Sequence, residues 1–394
     1  MQVSDFTKDS PGRLVSTIGG QAAFVPNDLP PPITWTSELV AIISAADRAL
    51  GQLAGLGQNM PNPHMLFKPF LRREAVLSSQ IEGTEASIAD VLLFEVDKKV
   101  AQSVPDVREV VNYVRAMEYG LERVKTLPLS LRLICEMHKR LLAGVRGEEK
   151  APGEFRTHQV HIGPPRAGIE QATFIPSPPQ EVPRLLGAME RYLHTPCDLP
   201  PVVRLALVHY QFEAIHPFLD GNGRVGRLLI SLMLCLEGIL PMPLLYLSAY
   251  FHRTRSQYYD QLRRVSQAGA WNDWIAYFAR GVASEAMDAV DRARRLKDLQ
   301  LEYTKKVRKA RASALLGQLI EELFSFPMVS AAKVSELLKV HPSTAQKHIA
   351  RLLSAGILRE TTGRKRNRLF VAEGILEAIE EPHFGYLQPG ASKG

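Results

Sequence analysis

The chain has 394 residues, of which 45% are hydrophobic and 23% are charged. A chain of this length has material for two or three domains, and these proportions exclude disordered, collagen-like and coiled-coil proteins. The sequence has no run of 18 apolar residues and no basic N-terminal region followed by an apolar run. We therefore expect neither a membrane span nor a secretory signal. Three cysteines cannot build a disulfide framework, so the expected location is the cytoplasm.

The net charge of +7 is concentrated in one C-terminal segment. Residues 291–368 hold 18 Lys and Arg against 7 Asp and Glu, whereas the rest of the chain holds 30 against 34. A basic segment on a mildly acidic body indicates an anionic partner, such as nucleic acid, for that segment alone. The alternative is a solvated helix face whose charges pair with one another.

The N-terminal part of the sequence is predicted to be helical after an extended start. Residues 1–35 are rich in Pro, Gly and Ser and predict an extended arm. Residues 36–125 predict a helical region that includes a helix over 70–81, with Gly83 where a C-terminal cap belongs. The other helices predicted before residue 145 cover 37–54, 86–98, 107–121 and 128–142.

Residues 126–290 form the next predicted domain, and one part of it has the texture of a β-hairpin. Residues 154–162 alternate and contain β-branched side chains, a turn follows at 163–168, and residues 171–175 can return as a second strand. Helices are predicted again over 182–194, 202–215, 224–237, 254–266 and 271–296. The predicted fold class is therefore mainly α with one small hairpin.

Residues 216–227, His-Pro-Phe-Leu-Asp-Gly-Asn-Gly-Arg-Val-Gly-Arg, carry most of the chemical information. Pro217 ends the preceding helix, Gly221 and Gly223 permit unusual backbone dihedrals, and a helix restarts near Arg224. Backbone N–H groups at a glycine-rich helix start form an anion cradle. The stretch lacks the Gly-Lys-Ser/Thr ending of a P-loop, and no strand precedes it as in the dinucleotide fingerprint.

The charged side chains of this stretch suit a nucleotide. Arg224 and Arg227 are three residues apart and share a helix face, so two guanidiniums could bind a polyphosphate. Asp220 is a hard oxygen ligand of the kind that Mg²⁺ uses together with substrate phosphates. His216 titrates near neutral pH and could accept a proton from a hydroxyl. All the parts needed for nucleotidyl transfer to a hydroxyl are present.

The same stretch matches the signature His-Pro-Phe-x-Asp-Gly-Asn-Gly-Arg-x-x-Arg of Fic-domain proteins at every fixed position. The chain resembles that family over roughly residues 35–290. The resemblance implies a helical Fic-type fold with a β-hairpin flap and transfer of AMP from ATP, with Mg²⁺, to a Ser, Thr or Tyr hydroxyl of a protein. It implies that His216 is the general base and that Asp220 holds Mg²⁺. The nucleotide-binding run that it implies is Asp220, Gly221, Asn222, Gly223, Arg224, Val225, Gly226 and Arg227.

The resemblance also implies roles outside the signature. The predicted hairpin resembles the family flap, which positions the target side chain by strand-like pairing. Tyr258 and Tyr259 resemble a paired-Tyr position near the adenine or ribose. The flap residues expected near nucleotide and target are Ile162, Gly163, Thr173 and Phe174.

Residues 78–83, Ser-Ser-Gln-Ile-Glu-Gly, resemble the inhibitory motif Ser/Thr-x-x-x-Glu-Gly/Asn of Fic proteins, here N-terminal to the signature. Ser78 and Glu82 are four residues apart and share a helix face, with Gly83 after them. A carboxylate at the helix end could pair with Arg227. The pair would occupy the guanidinium needed for the γ-phosphate and exclude productive ATP.

The C-terminal part predicts a basic helical connector over 291–312, a small unit over 313–382 and a loose tail over 383–394. The unit contains two helices, over 331–340 and 344–355, followed by a hairpin with a basic turn, and this order resembles a winged helix-turn-helix. Winged-helix units bind DNA, and they also serve as protein-docking or dimerisation modules. The residues that could contact nucleic acid are Lys347, Arg351, Arg364, Lys365, Arg366 and Arg368.

Two alternatives to an autoinhibited adenylyltransferase stay open. In some relatives the same residues remove AMP from proteins, and Glu82 would then position the attacking water. The second alternative is a transcriptional regulator whose Fic-like region senses nucleotide, although the intact His216 and Asp220 argue against a purely sensory role. Family analogy suggests a homodimer.

Overall fold

The computed structural model describes residues 1–58, 64–96, 105–164, 168–308, 314–363 and 367–380. Helices make up most of it, as the hydrophobic periodicity predicts. The helices before the signature are α1 (Ser37–Gln58), α2 (His64–Ile81), α3 (Ile88–Val96), α4 (Pro105–Arg123), α5 (Leu131–Leu141), α6 (Val182–His194) and α7 (Pro201–Ile215). Those from the signature onward are α8 (Asn222–Leu236), α9 (Ser248–Arg253), α10 (Arg255–Ala268), α11 (Trp271–Arg308), α12 (Ala314–Ser325), α13 (Ala331–Leu338), α14 (Pro342–Ser354) and α15 (Glu373–Glu380).

Two helices, α7 and α8, form the centre of the fold. Both are buried along most of their length, because their side chains are apolar on almost every face. α7 packs against α8, α6, α11 and α10, whereas the opposite neighbours of α8 are α2, α4 and α5. The loop between α7 and α8 is therefore held by the two most enclosed helices of the described chain.

The arm predicted over residues 1–35 is not simply extended. It contains a hairpin of β1 (Gly12–Ser16) and β2 (Ala22–Pro26), which pair antiparallel. The Phe24 N–H donates to the Ile175 carbonyl at 2.9 Å, so β2 lies against the segment that follows the flap. Phe24 is fully buried there. Its burial depends on a segment 150 residues away, which a local pattern does not show.

The hairpin predicted over 154–162 and 171–175 is reduced to one antiparallel bridge between Ile162 and Phe174. The Ile162 N–H donates to the Phe174 carbonyl at 2.8 Å, and the reverse bond is 3.1 Å. The described residues around this bridge form no continuous strand, and a 3₁₀ turn covers Ile169–Gln171. Pro164 and Pro176 lie at the ends of the two segments and cannot donate to a ladder. We call residues 154–175 the flap.

The helix that carries the inhibitory motif, α2, begins six residues earlier than predicted and contains Pro69. It packs against α4, α8, α9 and α12. Gly83 follows its end in the left-handed region, with φ of 91°, as predicted for a C-terminal cap. The motif is therefore anchored at the end of a helix that is packed on several sides.

α1 is the described helix that is long and apolar enough, by length and composition, to cross a membrane. It packs lengthwise on α11 and buries Leu39, Ile43, Leu50 and Leu53. Charged Asp47 and Arg48 lie on its exposed side. α1 therefore buries one apolar face against α11.

The last described elements form a small unit with the predicted order of helix, helix and hairpin. α13 and α14 pack on each other, and β3 (Met328–Ser330), β5 (Leu369–Val371) and β4 (Arg359–Glu360) form an antiparallel sheet in that order. α12 packs against α2 and α11, and the Arg72 guanidinium of α2 donates to the Ser325 carbonyl at 2.7 Å. α11 is one helix across the predicted boundary at residue 290.

Candidate active site

A cleft of about 1020 Å³ lies between α7, α8, α10 and the flap. It brings together residues that the sequence predicts from the signature, the flap, the inhibitory motif and the paired tyrosines. The predicted site residues that line it are Glu82, Ile162, Gly163, Thr173, Phe174, His216, Gly223, Arg227, Tyr258 and Tyr259. Five separate segments thus converge on one cleft.

The loop between α7 and α8 is closed by one side chain. The Asn222 carboxamide accepts from the Phe218 N–H at 2.8 Å and donates to the Phe218 carbonyl at 2.9 Å. Asn222 is therefore committed to the loop, and the anion cradle predicted for residues 221–223 has to rely on backbone groups. Gly221, with φ of 77°, makes the turn into α8.

His138, which no sequence pattern indicated, packs against this loop. Its ring stacks on Phe218 with centroids 3.7 Å apart, and its Nε2 lies 3.0 Å from the Asp220 carbonyl. The Gly153 N–H donates to its Nδ1, so Nε2 carries the hydrogen that Asp220 accepts. Burial lowers the pKa of His138 to about 4, which keeps the ring neutral.

His216 has the geometry of a neutral base at the cleft. It follows the last residue of α7 in the left-handed region, with φ of 51°. Its Nδ1 lies 3.3 Å from the Glu213 carbonyl, which assigns the ring hydrogen to Nδ1 and leaves Nε2 as a proton acceptor. Burial, assisted by the Arg156 charge, lowers the pKa of His216 to about 4. The imidazole is therefore unprotonated at neutral pH.

Arg227 is the signature arginine that lines the cleft, and Ser78 and Glu82 bind its guanidinium. Its Nη2 donates to Glu82 Oε1 at 2.7 Å and to the Ser78 carbonyl at 2.9 Å, and its Nε donates to Ser78 Oγ at 2.8 Å. Burial acts to raise the pKa of Glu82, but the Arg227 charge outweighs it and the pKa is lowered. Glu82 is therefore ionised at neutral pH and forms an ion pair with Arg227.

Arg224 takes different partners from Arg227 and does not line the cleft. Its guanidinium lies 3.1 Å from Glu109 and 3.5 Å from Asp220, and it is 1% exposed. Val225 is fully buried in the core. Gly226 faces α7, and a Cβ there would lie 2.4 Å from Glu213 Oε1. Within the run 220–227, Gly223 and Arg227 therefore line the cleft. Arg224, Val225 and Gly226 pack behind it.

Asp220 is suited to hold Mg²⁺ in one respect. Its Oδ1 accepts from the Gly221 N–H at 2.6 Å and faces Arg224, while Oδ2 has no hydrogen bond among the described residues. One carboxylate oxygen together with substrate phosphates is a common way to bind Mg²⁺. The described residues contain no cluster of three or more His, Cys, Asp or Glu that would hold a metal by itself.

Comparison with known proteins gives two adjacent family matches. Residues 40–122 match the profile described as Fic/DOC family N-terminal, and residues 128–234 match the profile described as Fic/DOC family. Residues 40–234 therefore consist of two adjacent regions that are similar to Fic/DOC family proteins. Both matches end before the C-terminal unit.

Curated relatives share this Fic region and extend well beyond it. Protein adenylyltransferase Fic of Drosophila melanogaster is 33% identical over 179 residues, which is 44% of this chain and 34% of the relative. The corresponding protein of Drosophila virilis is 34% identical over 156 residues, 38% of this chain and 30% of the relative. The chain thus matches about a third of the length of these relatives.

Solved structures support a Fic fold. A Fic family protein from Desulfovibrio desulfuricans G20 has a TM-score of 0.55 at 18% identity, covering 87% of this chain and 98% of the other. Fic-1 from C. elegans, residues 134–508, has a TM-score of 0.52 at 22% identity, covering 66% and 74%. At these identities the likeness concerns the fold.

Tyr258 and Tyr259 both lie on α10 at the cleft, but their environments differ. Tyr258 is 1% exposed, stacks on Phe251 with centroids 4.4 Å apart, and its hydroxyl lies 2.8 Å from His209 Nε2. Tyr259 is 41% exposed. Tyr258 is thus part of an aromatic core, whereas Tyr259 is the more exposed of the two rings at the cleft.

The basic residues predicted to contact nucleic acid lie outside the Fic matches. Lys347 and Arg351 are exposed on α14, one turn apart. Arg368 pairs with Glu360 in the hairpin. The predicted contacts Arg364, Lys365 and Arg366 lie outside the described residues.

Proposed function

We propose that this chain is a protein adenylyltransferase that transfers AMP from ATP to a Ser, Thr or Tyr hydroxyl of target proteins and of itself. The observation that carries the proposal is the neutral His216 imidazole in a cleft that also contains Arg227 and the flap. The relatives named protein adenylyltransferase Fic support the same chemistry. The enzyme is held inactive by the pair between Glu82 and Arg227.

The transfer step uses His216 as the base. Nε2 of His216 takes the hydroxyl proton, and the hydroxyl oxygen forms a bond to the α-phosphorus of ATP. The bond from that phosphorus to its bridging oxygen breaks, and pyrophosphate leaves. Mg²⁺ bound by Asp220 and the phosphates would supply positive charge for the leaving group. Protonated His216 returns its proton to solvent after the product departs.

Arg227 is the proposed site of inhibition. Its side chain already donates three hydrogen bonds to Ser78 and Glu82, so it is not available to the γ-phosphate of ATP. ATP that displaces Glu82 has to separate a short ion pair whose guanidinium is only 2% exposed. Withdrawal of Glu82 would release both the guanidinium and the space beside Gly223, where a Cβ would lie 2.5 Å from Glu82 Oε1.

The flap is the proposed binding strip for the target chain. Its bridge between Ile162 and Phe174 holds two short extended segments at the rim of the cleft. Thr173 donates to the Ile162 carbonyl, and extended target residues could pair with the remaining backbone groups. Such pairing positions a target hydroxyl through backbone contacts. The flap therefore requires little of the amino-acid sequence of the target.

The first test is incorporation of α-labelled ATP, with Mg²⁺, into the protein and into lysate proteins. We expect label to rise in Glu82→Gly and to vanish in the double variant Glu82→Gly, His216→Ala. Absence of label in every variant, with ATP binding intact by calorimetry, would exclude the proposal.

Removal of AMP is the second candidate activity. It is favoured by the position of Glu82, which lines the cleft and keeps an ionised carboxylate that could orient a water. An AMP-modified target incubated with wild type and with Glu82→Gly distinguishes the two. Release of AMP by wild type alone, without incorporation by either variant, would support removal as the main activity.

The C-terminal unit is the proposed recognition module, and we assign it a winged helix-turn-helix architecture. The exposed Lys347 and Arg351 on α14 support contact with nucleic acid, and protein docking or dimerisation is the alternative. Binding of labelled duplex DNA should weaken in Lys347→Ala, Arg351→Ala and with added salt. A dimer by light scattering, with no DNA binding at low salt, would favour dimerisation.

A further inference from the structure

We propose that Arg156 is a positioning residue for the catalytic base, joining the backbone of the His216 turn to both ends of the flap. The proposal rests on the proposed function, since it assigns Arg156 a part in the same site. It concerns a residue that is neither in the signature nor among those lining the cleft. Two properties of Arg156 carry it, its hydrogen bonds and its unpaired charge.

The first property is a set of five hydrogen bonds to backbone carbonyls. On the α7 side, the Arg156 N–H donates to Pro217 at 2.9 Å, Nε to His216 at 2.8 Å and Nη2 to Ile215 at 3.2 Å. Three consecutive carbonyls at the end of α7 are therefore bound by one residue. They belong to a turn in which His216 has a positive φ, a conformation that needs support from its surroundings.

The same guanidinium binds both ends of the flap. Nη1 donates to the His158 carbonyl at 3.2 Å, and Nη2 donates to the Ser177 carbonyl at 2.5 Å. His158 lies on the first flap segment, and Ser177 lies just after the second. The guanidinium is planar and its N–H groups point at fixed angles, so it sets the distance between the flap and His216. The flexible ammonium of a lysine would not set this distance.

The second property is a buried charge without an acidic partner. Arg156 is 3% exposed, and it forms no ion pair with the described carboxylates. Burial lowers its pKa to about 10, so it remains protonated at neutral pH. Burying a charge whose partners are only carbonyls costs free energy, and a neutral donor would be enough for the hydrogen bonds alone. The positive charge of Arg156 therefore acts on a neighbouring group.

The positive charge of Arg156 keeps the His216 imidazole unprotonated. The groups around the imidazole are Arg156 of the flap, the Glu213 carbonyl of α7, and Glu82, which follows α2 and pairs with Arg227 of α8. After burial, Arg156 is the largest cause that lowers the pKa of His216, whereas Glu82 raises it. ATP would add negative charge to the cleft and raise the pKa further. The Arg156 charge opposes this effect.

The experiment is a titration of His216 by NMR in protein with ¹³C-labelled histidine, assigned by the signal lost in His216→Ala. We expect Arg156→Gln to raise the pKa of His216 by about one unit, the usual effect of a nearby like charge. Arg156→Lys keeps the charge, so the pKa should stay near the wild-type value. In the Glu82→Gly background, Arg156→Lys should lower kcat about 10–100-fold with KM for ATP unchanged, because the fork is lost.

Arg204→Gln is the matched control. Arg204 also binds carbonyls at a helix end, those of Tyr192 and Leu193, but lies outside the cleft. It should lower the melting temperature without moving the pKa of His216 or kcat.

An unchanged His216 pKa in Arg156→Gln, or full kcat in Arg156→Lys, would overturn the proposal. If the Gln variant does not fold, the kcat of the Lys variant decides. The titration needs no ATP, so a chain without AMP transfer would fail the proposed function while leaving the pKa result standing.

Discussion

Glu82 and Arg227 lie 145 positions apart in the chain and form an ion pair of 2.7 Å at the wall of the cleft. Glu82 comes from the end of α2 and Arg227 from the second turn of α8, so the pair exists only because these helices pack together. Ser78, one turn before Glu82, binds the same guanidinium by its hydroxyl and its carbonyl. The contact is thus a clamp on the one signature arginine that reaches the cleft.

Glu82→Gly should increase AMP transfer at least about tenfold, because a charge-assisted hydrogen bond contributes about 1.5–3 kcal/mol to keeping ATP out. The measurement is the initial rate of incorporation from α-labelled ATP. Glu85→Gly is the control, since Glu85 is exposed three residues further on and uses only its backbone N–H, bonded to Asp106. Equal rates in wild type and Glu82→Gly would exclude the clamp.

Glu74 should make the protein less stable as the pH rises from about 4.5 to 7. It is buried and accepts hydrogen bonds from Tyr113 and from the Ser248 hydroxyl and N–H, and burial raises its pKa to about 7. Since the folded state holds the proton more tightly than the unfolded state, ionisation costs up to about 3 kcal/mol, complete above pH 7.

Urea denaturation at pH 5 and pH 7.5 checks this dependence. Glu74→Gln cannot ionise, so its unfolding free energy should change less between the two pH values than that of wild type. Glu38→Gln, at a side chain that is 81% exposed, is the control and should follow wild type. Identical pH dependence in Glu74→Gln and wild type would contradict a raised pKa.

Glu109→Gln should destabilise the fold by about 3–5 kcal/mol, because it leaves the buried Arg224 charge without its closest partner. Thermal or chemical unfolding measures the loss. Glu122→Gln provides the matched control, since its pair with Lys125 is exposed at both ends and contributes less than about 1 kcal/mol. A loss below 1 kcal/mol in Glu109→Gln would show that Asp220 alone compensates Arg224.

Gly226→Ala and Gly317→Ala should have opposite effects, although both glycines are inside helices. A Cβ at Gly226 would lie 2.4 Å from Glu213 Oε1 and 3.3 Å from His209 and Phe212, which predicts a loss of about 1–3 kcal/mol. A Cβ at Gly317 meets nothing within 4 Å, so helix propensity predicts a gain of about 0.5–1 kcal/mol. The melting temperatures of the two variants decide.

The helical fold and about half of the cleft residues could be predicted, because their signals are local. The spacing of apolar residues gives the helices, and twelve consecutive residues hold His216, Gly223 and Arg227. The flap was predicted as a hairpin and has one bridge, because alternation is present but its prolines prevent a ladder.

His138, Arg156 and Glu109 support the site and were not predicted. Each is a single residue in an ordinary helix or loop, and no spacing around it signals its role. His138 binds a carbonyl 82 positions away, and Glu109 binds a guanidinium 115 positions away. Such contacts follow from how α4, α5 and the flap pack around α8, which the order of residues along the chain does not show.

The residue types of the signature and the helical class follow from the sequence alone, since both depend on groups within a few residues of each other. The difference between the two signature arginines depends on tertiary packing. On an isolated helix Arg224 and Arg227 share a face and are equivalent. In the folded chain α4 presents Glu109 to one and α2 presents Glu82 to the other, so the first is built into the wall and the second remains at the cleft.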